Sequence, residues 1–171
     1  MTELVAPDTE RYAAWAACRR EFGGLEELHG DGHWFLPEPL QRDLERDTFD
    51  ALLALLRRYR RDSADGLIPT DFLWIVDGEE LLGFIRISHR LEGRLLESGH
   101  IGYSIRPSRR REGHASRALA LALAHARGLG IERALVVCQD GNIASERTIL
   151  ANGGSYEAAR DGNKRFWFEL D

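Results

Sequence analysis

The residues best suited to chemistry lie in one stretch, residues 105–116, which reads Ile-Arg-Pro-Ser-Arg-Arg-Arg-Glu-Gly-His-Ala-Ser. Pro107 ends a strand because its nitrogen cannot donate to a sheet. Gly113 and Ala115 are small, so a ligand can approach the backbone closely. A helix that begins here has backbone N–H groups without partners, and together with the positive end of the helix dipole they form an anion site suited to a pyrophosphate. Read alone, the stretch is equally an ordinary helix start with a solvated arginine run.

Hydrophobic periodicity predicts the elements that position this stretch. Strands are expected near residues 4–6, 72–76, 82–89, 99–106, 134–138, 155–159 and 164–170. Helices are expected after Asp8 or Thr9, over 43–61, over 113–129 and from Asn142 to about residue 152. A crossover β-α-β unit inside a mostly antiparallel sheet predicts an α/β (α+β) sandwich. Residues 23–39, rich in Gly, His, Trp and Pro, are predicted to form an irregular, substrate-facing loop.

Composition narrows the class of protein. The chain has 171 residues, which suits a single domain over residues 1–171, and its formal net charge of −5 argues against nucleic-acid binding. No apolar run approaches the roughly 20 residues that span a bilayer, and the first residues do not resemble a signal peptide. We therefore expect a cytoplasmic protein without a membrane partner. Cys18 and Cys138 are expected to be reduced and buried, and no cysteine spacing suggests a metal site.

Three segments carry a family resemblance. The segment from Arg110 to Ala115 resembles the Arg/Gln-x-x-Gly-x-Gly/Ala signature of the GNAT acetyltransferases. Residues 99–107 resemble the fourth strand of that family, and residues 140–145 with 152–154 resemble its Asn-x-x-Ser/Ala segment and following glycine. The resemblance covers about residues 73–170, and it is strongest to predicted acetyltransferases of unassigned substrate. It implies a three-layer sandwich in which the fourth and fifth strands splay apart.

The resemblance implies acetyl-CoA as the cofactor, with its pantetheine arm in the gap between those two strands. In that arrangement the Ile105 N–H donates to the thioester carbonyl. The implied cofactor-binding residues are Tyr103, Ile105, Arg106, Arg110, Arg111, Glu112, Gly113, His114, Ala115, Ser116, Asn142 and Ser145.

Acetyl transfer to an ammonium requires a proton acceptor, and the chain offers several. Glu97 and His100 are the leading candidates for the base, and His89 and His33 are lesser ones. The family often has a tyrosine as the acid seven residues after the asparagine, where this chain has Ile149. Two substitutes for that acid are Tyr156 and Ser145.

The predicted function is acetyl transfer from acetyl-CoA to a primary amine of a small molecule, peptide or protein. The alternative is a catalytically silent acyl-CoA-binding module. A homodimer is left open.

Overall fold

The computed structural model describes residues 1–60 and 67–171, and a seven-stranded sheet forms its centre. The strands are β1 (Thr2–Val5), β2 (Thr70–Asp77), β3 (Glu80–Ser88), β4 (Ile101–Ile105), β5 (Arg133–Gln139), β6 (Ser155–Arg160) and β7 (Asn163–Glu169). The helices are α1 (Tyr12–Arg20), α2 (Arg46–Arg60), α3 (Leu95–Ser98), α4 (His114–Gly128) and α5 (Ile143–Ala151). The last residue of the predicted second helix, Arg61, lies outside the described residues.

The strands lie in the order β1-β2-β3-β4-β5-β7-β6. β2, β3 and β4 form the expected antiparallel meander, whereas β4 and β5 are parallel neighbours connected through helix α4. A mixed, mostly antiparallel sheet flanked by helices confirms the predicted fold class.

Two hydrophobic cores lie on opposite faces of the sheet. Because side chains alternate along a strand, β2 and β3 contribute to both. Phe72, Trp74 and Phe84 pack with helices α1 and α2 on one face. Ile75 and Ile85 pack with helix α4 on the other. The sheet is thereby the middle of three layers.

Helix α4 packs on its face of the sheet through small side chains. Ala118, Ala122 and Ala126 are fully buried there, together with Leu119. Leu129, the last residue of the predicted helix, is exposed because it caps the helix just after its last turn.

The chain enters β4 through a helical turn that the sequence did not predict. This turn is α3, and Gly99 follows it with a φ of 79°, a left-handed conformation that favours glycine. Strand β4 therefore begins at Ile101, two residues later than predicted.

The two cysteines are free and buried, as expected, and burial raises the pKa of Cys18 to about 12. Within residues 1–60 and 67–171, no helix is both long enough and apolar enough to cross a membrane. The single domain, the cytoplasmic location and the homodimer stay predictions.

Candidate functional site

Strands β4 and β5 are neighbours over only a short length. Among the described residues their parallel ladder has one pair, Ile101 with Val136, at the amino-terminal end of β4. The antiparallel ladder to β3 continues along β4 as far as Ile105. The parallel strands therefore separate toward the carboxyl end of β4, as the resemblance implied, and leave a gap.

Alternate residues of β4 direct their backbone toward this gap. The Arg106 N–H donates to the Leu82 carbonyl at 2.8 Å, so the even-numbered residues pair with β3. The odd-numbered residues direct their N–H and C=O groups to the opposite edge. The backbone groups of Tyr103 and Ile105 accordingly face the gap, where an extended ligand can pair with them.

His100 joins the two strands at the closed end of the gap. Its N–H donates to the Leu135 carbonyl at 2.8 Å, and its Nδ1 lies 2.9 Å from the Leu135 nitrogen and accepts that N–H. The neutral ring therefore carries its proton on Nε2. Burial, followed by the charge of Arg86, lowers the pKa of His100 to about 4. The lone pair that a base would use is engaged, so this geometry supports a structural role for a residue predicted as the base.

The loop between β4 and α4 contains two residues in the left-handed conformation. Arg111 has a φ of 64° and Gly113 a φ of 82°, immediately before α4 begins at His114. Such turns curl successive backbone N–H groups into a concave anion site, to which the first turn of a helix adds its own unpaired amides. No side chain caps these amides at Gly113. The local backbone therefore fits a pyrophosphate, as predicted from the sequence.

Arg111 is the loop arginine whose charge is unengaged. It is exposed, and within the described ranges its side chain makes no hydrogen bond or ion pair. Arg109 instead bridges Glu80 at 3.1 Å and Glu112 at 2.9 Å. Glu112, predicted to lie at the cofactor site, also lies 3.2 Å from His114 Nε2. Arg111 is thus the cation most available to an incoming anion.

Arg110 lies at the carboxyl end of β4, beside the mouth of the gap. Its Nε donates to the Ile105 carbonyl at 3.0 Å, and its guanidinium lies 5.9 Å from the ring centre of Phe22. Its Nη2 pairs with Glu27 at 3.2 Å, but both side chains are nearly half exposed. An ion pair this exposed is weak, so an anionic ligand can compete with Glu27 for Arg110.

The side chains in the first turn of α4 are directed into the protein. His114 Nδ1 lies 2.9 Å from Thr2 Oγ1, and the Ser116 hydroxyl accepts from Asn152 Nδ2 at 3.0 Å. Ala115 packs against the core. All three were predicted to contact the cofactor, and this geometry leaves their backbone N–H groups for that contact.

Arg106 is turned away from the gap. Its N–H belongs to the pairing with β3, and its Nε donates to Glu21 Oε1 at 2.8 Å. Glu21 also accepts from the Ser108 N–H at 3.0 Å. The bond to Arg106 is the main cause that lowers the pKa of Glu21 to about 2. The predicted cofactor contact is therefore unsupported for Arg106, which instead fastens the loop to the end of α1.

Helix α5 begins on the far side of the gap, after β5. Asn142 caps it, with its Oδ1 accepting the Ser145 N–H at 3.1 Å. The Tyr103 hydroxyl lies 3.0 Å from Ser145 Oγ, so this pair connects β4 to α5. Burial raises the pKa of Tyr103 to about 12, which keeps its proton in place at neutral pH. Ile149, at the position of the usual tyrosine, is fully buried and has no proton to give.

Two of the predicted catalytic residues lie apart from the gap. Tyr156 is on the edge strand β6, with β7 between it and β5, and its ring contacts Phe166. Glu97 is on α3, exposed, and its carboxylate contacts no other side chain in the part of the chain described. Of the lesser candidates, His89 lies 3.3 Å from Asp71 near the start of β2, and His33 lies 2.7 Å from the buried Asp31. The structure thus gathers Tyr103, Ile105 and Ser145 at the gap.

The irregular loop predicted to face a substrate lies across β4 on the face opposite α4. The His29 N–H donates to Ser104 Oγ at 3.2 Å, and the Ser104 hydroxyl donates to the His29 carbonyl at 2.7 Å. Gly30 follows with a φ of 83°, and a Cβ there would lie 2.7 Å from the Gly102 carbonyl oxygen. The loop therefore needs glycine at this point to approach the sheet.

His29 is a functional candidate that the sequence analysis missed. The residue is accessible to solvent, but neighbouring atoms displace part of the water around its ring. That desolvation is the first cause that lowers the pKa of His29, and the charge of Arg86 is the second. A histidine that is neutral at physiological pH can accept a proton. The only sequence signal was its place in a glycine- and histidine-rich loop. Nothing in the nearby sequence indicates the hydrogen bonds between the His29 backbone and Ser104.

The family model of the acetyltransferase (GNAT) domain matches residues 5–155. The chain belongs to the GNAT acetyltransferase family. Among curated proteins, none matches it significantly.

Solved structures share the fold of this GNAT domain. RimJ of Mycobacterium smegmatis, in complex with a CoA-disulfide, has a TM-score of 0.74 and 20% identity, covering 98% of this chain and 81% of RimJ. RimL, a ribosomal L7/L12 alpha-N-protein acetyltransferase in complex with coenzyme A, has a TM-score of 0.68 and 19% identity, covering 99% and 94%. The microcin C7 self-immunity acetyltransferase MccE, in complex with acetyl-CoA and AMP, has a TM-score of 0.71 and 12% identity, covering 98% and 92%.

Proposed function

We propose that this GNAT domain transfers an acetyl group from acetyl-CoA to a primary amine of a small molecule, peptide or protein. The observation that carries the proposal is the gap between β4 and β5, with the backbone of Tyr103 and Ile105 along one side and the open amides of α4 at its mouth. Membership of the family supports acetyl-CoA as the cosubstrate. The RimL structure contains coenzyme A, the RimJ structure a CoA-disulfide and the MccE structure acetyl-CoA.

The residues have distinct proposed parts in holding this cosubstrate. The edge of β4 at Tyr103 and Ile105 pairs with the pantetheine arm, and the amides of residues 111–116 hold the pyrophosphate with Arg111. Acetyl-CoA supplies a thioester whose carbonyl carbon a neutral amine attacks. The Ile105 N–H is the proposed donor to the oxygen on which charge develops, and one fixed donor of this kind contributes roughly 10²–10³ in rate.

His29 is the proposed proton acceptor, in preference to His100. Its backbone is tied to β4 at Ser104, between the two residues whose backbone faces the gap, and the residue is accessible from solvent. A base with a pKa below 6.5 stays unprotonated through the physiological range, which the reaction requires.

The pH dependence of kcat/KM tests this assignment. We expect the wild-type rate to fall on the acidic side as His29 gains a proton. The variant His29→Gln should be slower by about 10²-fold and lose that acidic limb. His100→Asn should keep it. An acidic limb that is unchanged in His29→Gln would exclude His29 as the base.

The Tyr103–Ser145 pair is the proposed proton donor, in place of the tyrosine that Ile149 replaces. Tyr103 keeps its proton at neutral pH, and its hydroxyl already contacts Ser145 on the other side of the gap. Ser145 was predicted for this part, whereas Tyr103 was predicted only as a cofactor contact.

The alternative function is a silent acyl-CoA-binding module, which the buried Ile149 favours because the usual acid is missing. Release of free thiol from acetyl-CoA in the presence of a library of primary amines separates the two functions. An enzyme releases thiol in step with a subset of amines. A binding module takes up acetyl-CoA and releases none above the hydrolytic background.

A further inference from the structure

Arg86 on β3 is a buried cation that contacts no acidic side chain in the described part of the chain. Its residue is 8% exposed. Nη1 donates to Ser88 Oγ at 3.0 Å and to the carbonyls of Gly99 and His100 at 3.2 and 3.3 Å. Nη2 donates to the Ser98 carbonyl at 3.3 Å. All four acceptors are uncharged.

A buried charge is costly unless an opposite charge compensates it. Burial lowers the pKa of Arg86 to about 10, so the guanidinium still carries its charge at neutral pH. A guanidinium has five N–H donors. Within the described ranges the Nε–H has no partner, and Nη2 has one partner for its two hydrogens. Nε and Nη2 form one edge of the guanidinium, which is therefore only partly engaged.

The unengaged edge lies on the face of the sheet that carries the proposed proton acceptor. In the β3–β4 register Arg86 is opposite Gly102, and a Cβ at Gly102 would lie 3.3 Å from Nε. Because Gly102 has no side chain, no side chain at this position of β4 covers Nε. Ser104, the next residue on this face, holds His29. Arg86 also lowers the pKa of His29, so the charge acts directly on that site.

We propose that Arg86 binds a carboxylate of the acceptor and thereby selects amines that carry a carboxylate a few bonds from the reacting nitrogen. This inference rests on the proposed function. The Nε/Nη2 edge matches the two oxygens of a carboxylate, a pairing stronger than one between neutral groups. Amino acids and peptides with an acidic residue after the amino terminus both present this chemistry.

A purely structural part for Arg86 is the competing explanation, since it ties β3 to the carbonyls at residues 98–100. A structural tie affects folding, but it cannot distinguish a carboxylate from a carboxamide on the acceptor. The test therefore measures discrimination within matched pairs of acceptors.

The probes are peptides with a free amino terminus that differ only in Asp or Asn at the second position, and an amino acid with its carboxamide. Thiol release measures kcat/KM, and calorimetry in the presence of coenzyme A measures Kd. We expect the wild type to favour the carboxylate by about tenfold or more. The two kinds of probe pair distinguish acidic peptides from free amino acids as the source of the carboxylate.

Three variants test whether Arg86 causes the preference for a carboxylate. Arg86→Gln keeps a donor for the carbonyls but lacks the charge, and its preference should fall to less than about twofold. Gly102→Ala keeps the charge but obstructs Nε, and its preference should fall several-fold. Arg133→Gln removes an exposed arginine, paired with Glu169 at the far end of β5, and should keep the full preference.

The inference is overturned if the wild type shows no preference for the carboxylate in kcat/KM and Kd. It is also overturned if a folded Arg86→Gln protein keeps that preference. If Arg86→Gln does not fold, Gly102→Ala decides the matter by the same comparison. If no amine promotes thiol release, the proposed function fails, but the Kd pairs still decide whether Arg86 binds carboxylates.

Discussion

The Nδ1 atom of His100 accepts the backbone N–H of Leu135 at 2.9 Å, while the His100 N–H donates to the Leu135 carbonyl at 2.8 Å. These two bonds join the start of β4 to β5. They lie beside Ile101 and Val136, which form the only ladder pair between the two strands in the described residues. Beyond it the strands separate. His100 therefore fixes the closed end of the gap in which the proposed reaction takes place.

Removing the acceptor at this position should destabilise the protein. In His100→Leu the Leu135 N–H is left buried without a partner, and we expect a loss of about 1–3 kcal/mol in the free energy of unfolding. His100→Asn can place an amide oxygen near the former Nδ1 and should lose less. Urea denaturation at neutral pH measures both. Equal stability of His100→Leu and the wild type would show that the hydrogen bond from the Leu135 N–H to His100 does not stabilise the fold.

The same residue should make stability depend on pH. The pKa of His100 falls from 6.5 in the unfolded chain to about 4 in the fold. Between these values the unfolded chain binds the additional proton, so stability is lost as the pH falls from 6.5 toward 4. The contribution amounts to about 2 kcal/mol between about pH 7 and about pH 5. Urea denaturation at both pH values measures this loss of stability. The wild type should lose more than His100→Asn does, and equal losses in the two proteins would refute the role of His100.

A negative charge at the start of helix α4 should abolish coenzyme A binding. Gly113 has a φ of 82°, so any side chain there is strained by about 1 kcal/mol. Gly113→Ala has that strain and a Cβ that would lie 2.9 Å from Arg117 Nη1, and Gly113→Glu shares both. Ala is therefore the matched control for Glu, which adds bulk and charge where we place the pyrophosphate. Calorimetry should show affinity for acetyl-CoA within several-fold of wild type for Ala and more than about 10²-fold weaker for Glu. Tight binding by folded Gly113→Glu would refute this placement.

The Tyr103–Ser145 pair should act as a unit in turnover. Tyr103→Phe removes the hydroxyl and leaves the backbone of β4 in place, and we expect kcat to fall by about 10²-fold with little change in acetyl-CoA affinity. Ser145→Ala should have a similar effect, and the double variant should be no slower than either single one, because residues that act together are not additive. A kcat unaffected by Tyr103→Phe would exclude the pair as the donor.

The contact between Glu21 and the loop should contribute to stability and to cofactor affinity. Glu21 bonds Arg106 and Ser108 and has a pKa of about 2, so its contribution is present above pH 4.5 and is lost as the pH falls toward 2. Glu21→Gln should lose about 1–2 kcal/mol at neutral pH and bind coenzyme A several-fold more weakly. The exposed Glu10→Gln is the control for urea denaturation and calorimetry. A Glu21→Gln protein with wild-type stability would contradict this account.

Periodicity and turn residues were enough to predict the fold. The near-continuous apolar runs of β2, β3 and β5 predicted these strands, because a strand that is buried on both faces has apolar side chains on both. Asn142 was predicted to begin a helix, and it caps α5. Of the two caps predicted for the first helix, Asp8 and Thr9, Asp8 accepts the backbone N–H groups of the turn that leads into α1.

The site was predictable only where its chemistry is local to the chain. The amides around Gly113 follow from one continuous segment. The hydrogen bond between Leu135 and His100 joins residues far apart in the chain, and so does the one between Arg106 and Glu21. A single sequence carries no signal for such partners. The same holds for His29, whose place beside β4 depends on the path of an irregular loop.

We propose that the gap beside Ile105 and the amides before helix α4 together hold acetyl-CoA. Isothermal titration calorimetry of acetyl-CoA into the folded protein tests it most directly. We expect saturable binding of one molecule per chain, which Gly113→Glu abolishes and Gly113→Ala retains. The absence of any binding to the folded wild-type protein, with acetyl-CoA and with coenzyme A, would contradict it.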